Sequence, residues 1–133
     1  MRRIDLRERT RAFALAIIRL IEELPRSRVA DVLGNQLLRA GTSVGANYRA
    51  ACRARSRREF IAKMGIVEEE ADESEFWLDA MAESGIGPVE RLRVLQREAA
   101  QLVAISVSSI RTARETRGPI PHSTFRIPHS ENR

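Results

Sequence analysis

Apolar residues recur along this chain at intervals of three and four in four separate runs, the spacing of a helix face rather than the alternation of a strand. Leu6, Phe13, Ile17, Leu20 and Leu24 share the first seam, and Ile18 and Ile21 widen it. Arg7, Glu8, Arg11, Glu22 and Glu23 fall mainly on the wet side. The run predicts a helix over about 5–24 that stops at Pro25, because proline disfavours helical geometry in the residue before it.

The second seam is Ala30, Leu33, Leu37, Ala40, Val44, Asn47 and Ala51, a heptad pattern opened by Ser27 as N-cap. Gly41 and Gly45 interrupt it, each at a cost of about 1 kcal/mol relative to alanine in a helix. A loop is one reading. The phase persists through both glycines, so one long helix with a small-residue face open to a close neighbour is expected instead.

A turn follows around Arg55. Ser56 and Glu59 then form a capping box for a third helix, carried by Phe60, Met64, Val67, Ala71, Ser74, Leu78 and Met81 to about Glu83. Gly85-Ile86-Gly87-Pro88 reads as a helix stop followed by a helix start. Leu92, Leu95, Ala99, Leu102, Val103, Ser106 and Ile110 predict a fourth helix over about 89–116.

Four amphipathic helices joined by short turns define the expected fold: all-α, an antiparallel up-down-up-down four-helix bundle over 1–117. Residues 118–133 hold a tandem heptapeptide, IPHSTFR then IPHSENR. Its prolines forbid regular helix and its few apolar groups do not offset the entropy of ordering, so a flexible tail is expected.

Composition removes several function classes. No apolar run approaches the roughly 20 residues that span a bilayer, so no membrane role is expected. The opening MRRIDLRERTR lacks the apolar centre of a signal peptide, and the single Cys52 cannot form an internal disulfide. Both point to the cytoplasm. Both histidines, His122 and His129, lie in the tail, away from Cys52, and no helix carries the Glu-x-x-His pairs of a di-iron bundle. No phosphate-loop, zinc spacing or Ser–His–Asp set occurs. The expectation is a non-enzymatic protein without cofactor or metal.

Charge supplies the candidate chemistry. Residues 1–65 hold 15 basic and 6 acidic side chains, and 66–133 hold 8 and 12. Arg49, Arg53, Arg55, Arg57, Arg58 and Lys63 surround the second turn, where clustered arginines suit the phosphate backbone of RNA or DNA. Pairing with a neighbouring subunit's acids Glu68, Glu69 or Glu75, or simple solvation of the turn, explains the cluster as well. If helices two and three fold back around Arg55, Arg39 lies beside Glu70, Asp72 or Glu73. With Glu69, these form the candidate ion-pair or oligomer contacts. Asn47 and Ser74, polar positions on apolar seams, are expected to help fix helix register.

The segment QLLRAGTSVGANYRAACRARSRREFIAKMGIVEEEADESEFWL resembles the four-helix bundle proteins of the 23S rRNA-intervening-sequence family. The resemblance runs from Asp5-Leu6-Arg7 through Thr112-Ala113-Arg114. Two positions depart from the family pattern: Ala40 stands where serine is frequent, and Ala50 where glutamate is frequent. The resemblance implies a self-assembling antiparallel bundle, since relatives form ring-like homopentamers. A related branch of that family is the accessory variability determinant of diversity-generating retroelements, a basic pentamer that binds reverse transcriptase and nucleic acid, and this chain resembles the general branch more than that one. Self-association, RNA or DNA, and a reverse transcriptase are therefore the partners the resemblance implies. A protein–protein adaptor without nucleic acid is the alternative.

Overall fold

The computed structural model describes residues 5–115, and the tail repeat with its two histidines lies outside them. Four helices follow in order: α1 (Leu6–Glu22), α2 (Arg28–Cys52), α3 (Arg57–Glu83) and α4 (Val89–Glu115). No strand occurs among the described residues.

Local chemistry sets each boundary. The Asp5 carboxylate caps α1 by accepting from the Glu8 amide at 3.2 Å. Helix α1 ends two residues short of the expected Leu24. Its last turn tightens instead, with the amides of Glu23 and Leu24 bonding the carbonyls three residues back. Ser27 caps α2 through the Ala30 amide at 3.0 Å. Ser56 caps α3 through the Glu59 amide at 3.0 Å, while the Glu59 carboxylate reaches back to the Arg55 amide at 2.9 Å. The back-bond thus lands one residue earlier than in the usual capping box. At the other end of α3, Gly85 takes φ +73°, and the amides of Gly85 and Ile86 bond the carbonyls of Ala82 and Met81. That is a Schellman close, which favours glycine because its left-handed backbone penalises a Cβ.

The helices alternate in direction, as contacts between them attest. Positions 34, 41 and 45 of α2 face Ile21, Ile17 and Thr10 of α1 in reverse order. Arg39 of α2 pairs with Glu70 of α3, Arg93 of α4 with Asp79 of α3, and Arg9 of α1 with Glu98 of α4. The core runs the length of the bundle through Phe13, Ile17, Leu37, Val44, Met64, Leu78, Leu92 and Leu102, among others. Packing is extensive between α1 and α2, α2 and α3, and α3 and α4. Between α1 and α4 it is slight, and there long polar side chains bridge the gap: Arg9 to Glu98 and Gln101, and Arg91 to Glu23.

Helix α2 is continuous through both glycines, and the glycines are where α1 comes closest. A Cβ on Gly41 would lie 2.9 Å from Ile17 Cγ1, and one on Gly45 would lie 3.4 Å from the Thr10 carbonyl oxygen. The buried stripe also differs from the expected seam on one flank. Gly34, Gly41 and Tyr48 are buried, whereas Leu33 and Asn47 are only half-buried. Glycine counts as nothing in a hydrophobic pattern, yet here it marks the face pressed against α1.

Asn47 and Ser74 do not act as expected. The Asn47 amide donates to the Ser43 carbonyl, and the fully buried Ser74 hydroxyl donates to that of Glu70, each within its own helix. Thr10 and Ser106 bond the carbonyls of Leu6 and Leu102 in the same way. Small hydroxyl residues satisfied by the preceding turn can be buried without a partner across the interface, so they carry no register information.

Candidate polyanion interface

Folding converts the charge gradient along the chain into a gradient along the bundle. The half bearing the α2–α3 turn comprises residues 5–13, 41–69 and 103–115, with 11 basic and 6 acidic side chains. The other half, 14–40 and 70–102, has 7 and 11. Pairing differs between the halves by degree: Arg19, Arg28 and Arg97 of the acidic half hold no carboxylate among the described residues, and Arg9 of the basic half holds Glu98. Arg26, Arg39, Arg91 and Arg93, all in the acidic half, each hold a carboxylate. Arg7, Arg11, Arg49, Arg53, Arg55 and Arg58, all in the basic half, are exposed and hold none among the described residues.

The six residues of the sequence cluster do not form one surface. Arg49 and Arg53, one turn apart near the end of α2, face towards α1. There Arg7 and Arg11, also one turn apart, complete a trough of about 610 Å³ between the two helices. Ala14, Gly45 and Ala46 line it alongside Tyr48 and Cys52. Arg55 and Arg58 are exposed at the tip beyond it. Arg57 is half-buried and engaged within the fold, and Lys63 sits half-buried further along α3. Arg7 and Arg11 escaped notice as partners of this cluster. In the observed register, where Thr10 faces Gly45 and Ile17 faces Gly41, residue numbers sum to about 56 and Arg7 lies level with Arg49, whereas a fold-back centred on Pro25 would set Arg7 nearer Ser43.

Tyr48 is 2% exposed, so its ring belongs to the core and offers no stacking surface. Burial, with the Cys52 thiol beside it, pushes its phenol well above the usual range. Cys52 is half-buried at the trough wall, more open than a core thiol. Thr10 and Thr42 spend their hydroxyl protons on the carbonyls of Leu6 and Leu38.

On the α2–α3 face, Arg39 reaches Glu70 at 3.2 Å and also bonds Glu73. Glu73 accepts in addition from the Trp77 indole at 3.0 Å. The indole hydrogen bond, then the guanidinium, hold the Glu73 carboxyl below its ordinary value, and the Glu73 bond holds Arg39 above its own. Asp72 and Glu69 are exposed on other sides of α3, and neither pairs with Arg39 among the described residues. Glu68 and Glu69 instead line a second trough with Arg111 and Arg114 of α4, open above Gly65. No cluster of metal-ligating side chains occurs among the described residues, and no helix there is long and apolar enough to cross a membrane.

The described residues form an all-α bundle of four helices with one arginine-rich end. A family model described as 23S rRNA-intervening sequence protein matches residues 2–108, and the chain belongs to that family. It is also similar to a solved structure, described as a protein with unknown function from the S23 ribosomal protein family of Bacteroides thetaiotaomicron VPI-5482. The two share 32% identity and a TM-score of 0.73, covering 78% of this chain and 96% of that one. No curated protein matches.

Proposed function

We propose that this protein is a non-enzymatic, self-assembling bundle of the cytoplasm that binds RNA or another nucleic acid through its arginine-rich end. The observation that carries the reading is the uncompensated charge: four of the seven arginines in the acidic half hold a carboxylate, whereas in the basic half Arg7, Arg11, Arg49, Arg53, Arg55 and Arg58 are exposed and hold none among the described residues. Guanidinium groups without internal partners remain available to phosphate, and each contact releases condensed counterions. Assembly as a homopentamer, and a reverse transcriptase as protein partner, rest on the family resemblance alone.

The test is binding to a mixed RNA pool across a salt series. Affinity is expected to fall steeply with salt, and Arg49→Glu, Arg53→Glu, Arg55→Glu and Arg58→Glu together to abolish it. Binding that ignores salt, or that survives reversal of Arg49, Arg53, Arg55 and Arg58 together, would overturn the reading. The adaptor alternative draws support from the α3–α4 trough, where Ile61 and Val107 flank open space above Gly65 between charges of both signs. Under it, the same reversals break the oligomer and leave no RNA binding to lose.

A further inference from the structure

We infer that the α1–α2 trough grips one single strand of nucleic acid, with Arg7 and Arg11 on one wall and Arg49 and Arg53 on the other straddling its phosphates. The inference rests on the nucleic-acid reading above and says where and in what form the ligand binds. Each arginine pair is separated by one helical turn, about 6 Å along the axis, so each wall presents charge at two successive levels. The close approach at Gly41 and Gly45 keeps the floor between the walls shallow and the two rows facing a common channel.

The dimensions favour a strand over a duplex. A volume of about 610 Å³ gives an open trough room for one or two nucleotide units at a time. A duplex presents its phosphates on a rigid outer surface around paired, stacked bases, so it would rest across the rim and leave the floor empty. The floor itself is small and apolar at Ala14, Gly45 and Ala46, a surface suited to the sugar and base faces of an extended strand. With Thr10 and Thr42 donating to their own helix and Tyr48 buried, little remains to read base edges. Recognition of this kind tracks the backbone and tolerates sequence.

The experiment measures binding of the full chain to a twelve-nucleotide single-stranded RNA, the matching duplex and a free nucleoside triphosphate. For the single strand, Arg7→Gln with Arg11→Gln should lower the slope of log affinity against log salt by about 1.4, at roughly 0.7 per phosphate lost. That slope corresponds to a loss of roughly 25-fold at 0.1 M salt. Ala46→Trp, at an exposed position on the floor, should weaken the strand severalfold with the slope unchanged and leave the duplex unaffected. Full affinity in both variants, with loss only on reversing Arg55 and Arg58, would overturn the trough and spare the general reading. A triphosphate that binds as tightly as the strand, or a duplex equally sensitive to Ala46→Trp, would also overturn it. A wild-type chain that takes up no RNA would remove both proposals together.

Discussion

Glu73 shows how much one side chain can organise. It takes a hydrogen bond from the Trp77 indole one turn along α3 and another from Arg39 on α2. Its carboxyl is held below the ordinary value, so the stability it contributes is fully present above the unfolded glutamate value of about 4.3. That contribution is lost as pH falls through the lower folded value. Thermal melts of wild type and Glu73→Gln should therefore differ most near neutrality and converge as the pH falls below the ordinary glutamate range. Arg39→Ala should lower the melting temperature, and less so at high salt, because Arg39 is half-exposed and its pairs are screened. An unchanged melt and an unchanged solution mass would remove any role for it. The Arg39 pairing was legible in the sequence to the level of a fold-back, which offered three acids. Choosing among them needs the angular position around α3: Glu70 and Glu73 share a face, and Asp72 points elsewhere.

At the scale of the helices, most of the fold was written in local signals. Serine caps at Ser27 and Ser56, proline at Pro25 and glycine at Gly85 act within a few residues, so they survive whatever the tertiary structure does. The close approach at Gly41 and Gly45 was legible too; what stayed hidden was that α1 is the neighbour and that Gly34 and Tyr48 extend the same face, because neither adds to a row of aliphatics. The glycines make opposite predictions. Gly41→Leu forces a side chain into a contact already at 2.9 Å from Ile17 and should destabilise the bundle by about 2 kcal/mol or more. Gly65→Ala meets open space and should stabilise it by about 0.5–1 kcal/mol through helix propensity. Ser56→Ala removes the α3 cap and should cost about 1 kcal/mol. Denaturant melts of the three variants check the signs directly.

For the whole molecule, the sequence showed that charge was uneven but not where the unevenness would go. Two reversals of chain direction were needed to bring the starts of α1 and α3 together with the ends of α2 and α4. Light scattering should return about five times the 15.0 kDa chain mass if the family's assembly carries over, and a monomer would show that it does not. The backbone contributes little to the polarity, because antiparallel helices set their dipoles head to tail and largely cancel. Side chains alone make the molecule an electric dipole along its long axis. Near a strand of phosphates such a body feels a torque before it feels a contact, and it turns until the arginines lead. Added salt should then slow arrival more than it hastens departure, so that the orientation of first encounter is settled in the solvent, ahead of any hydrogen bond.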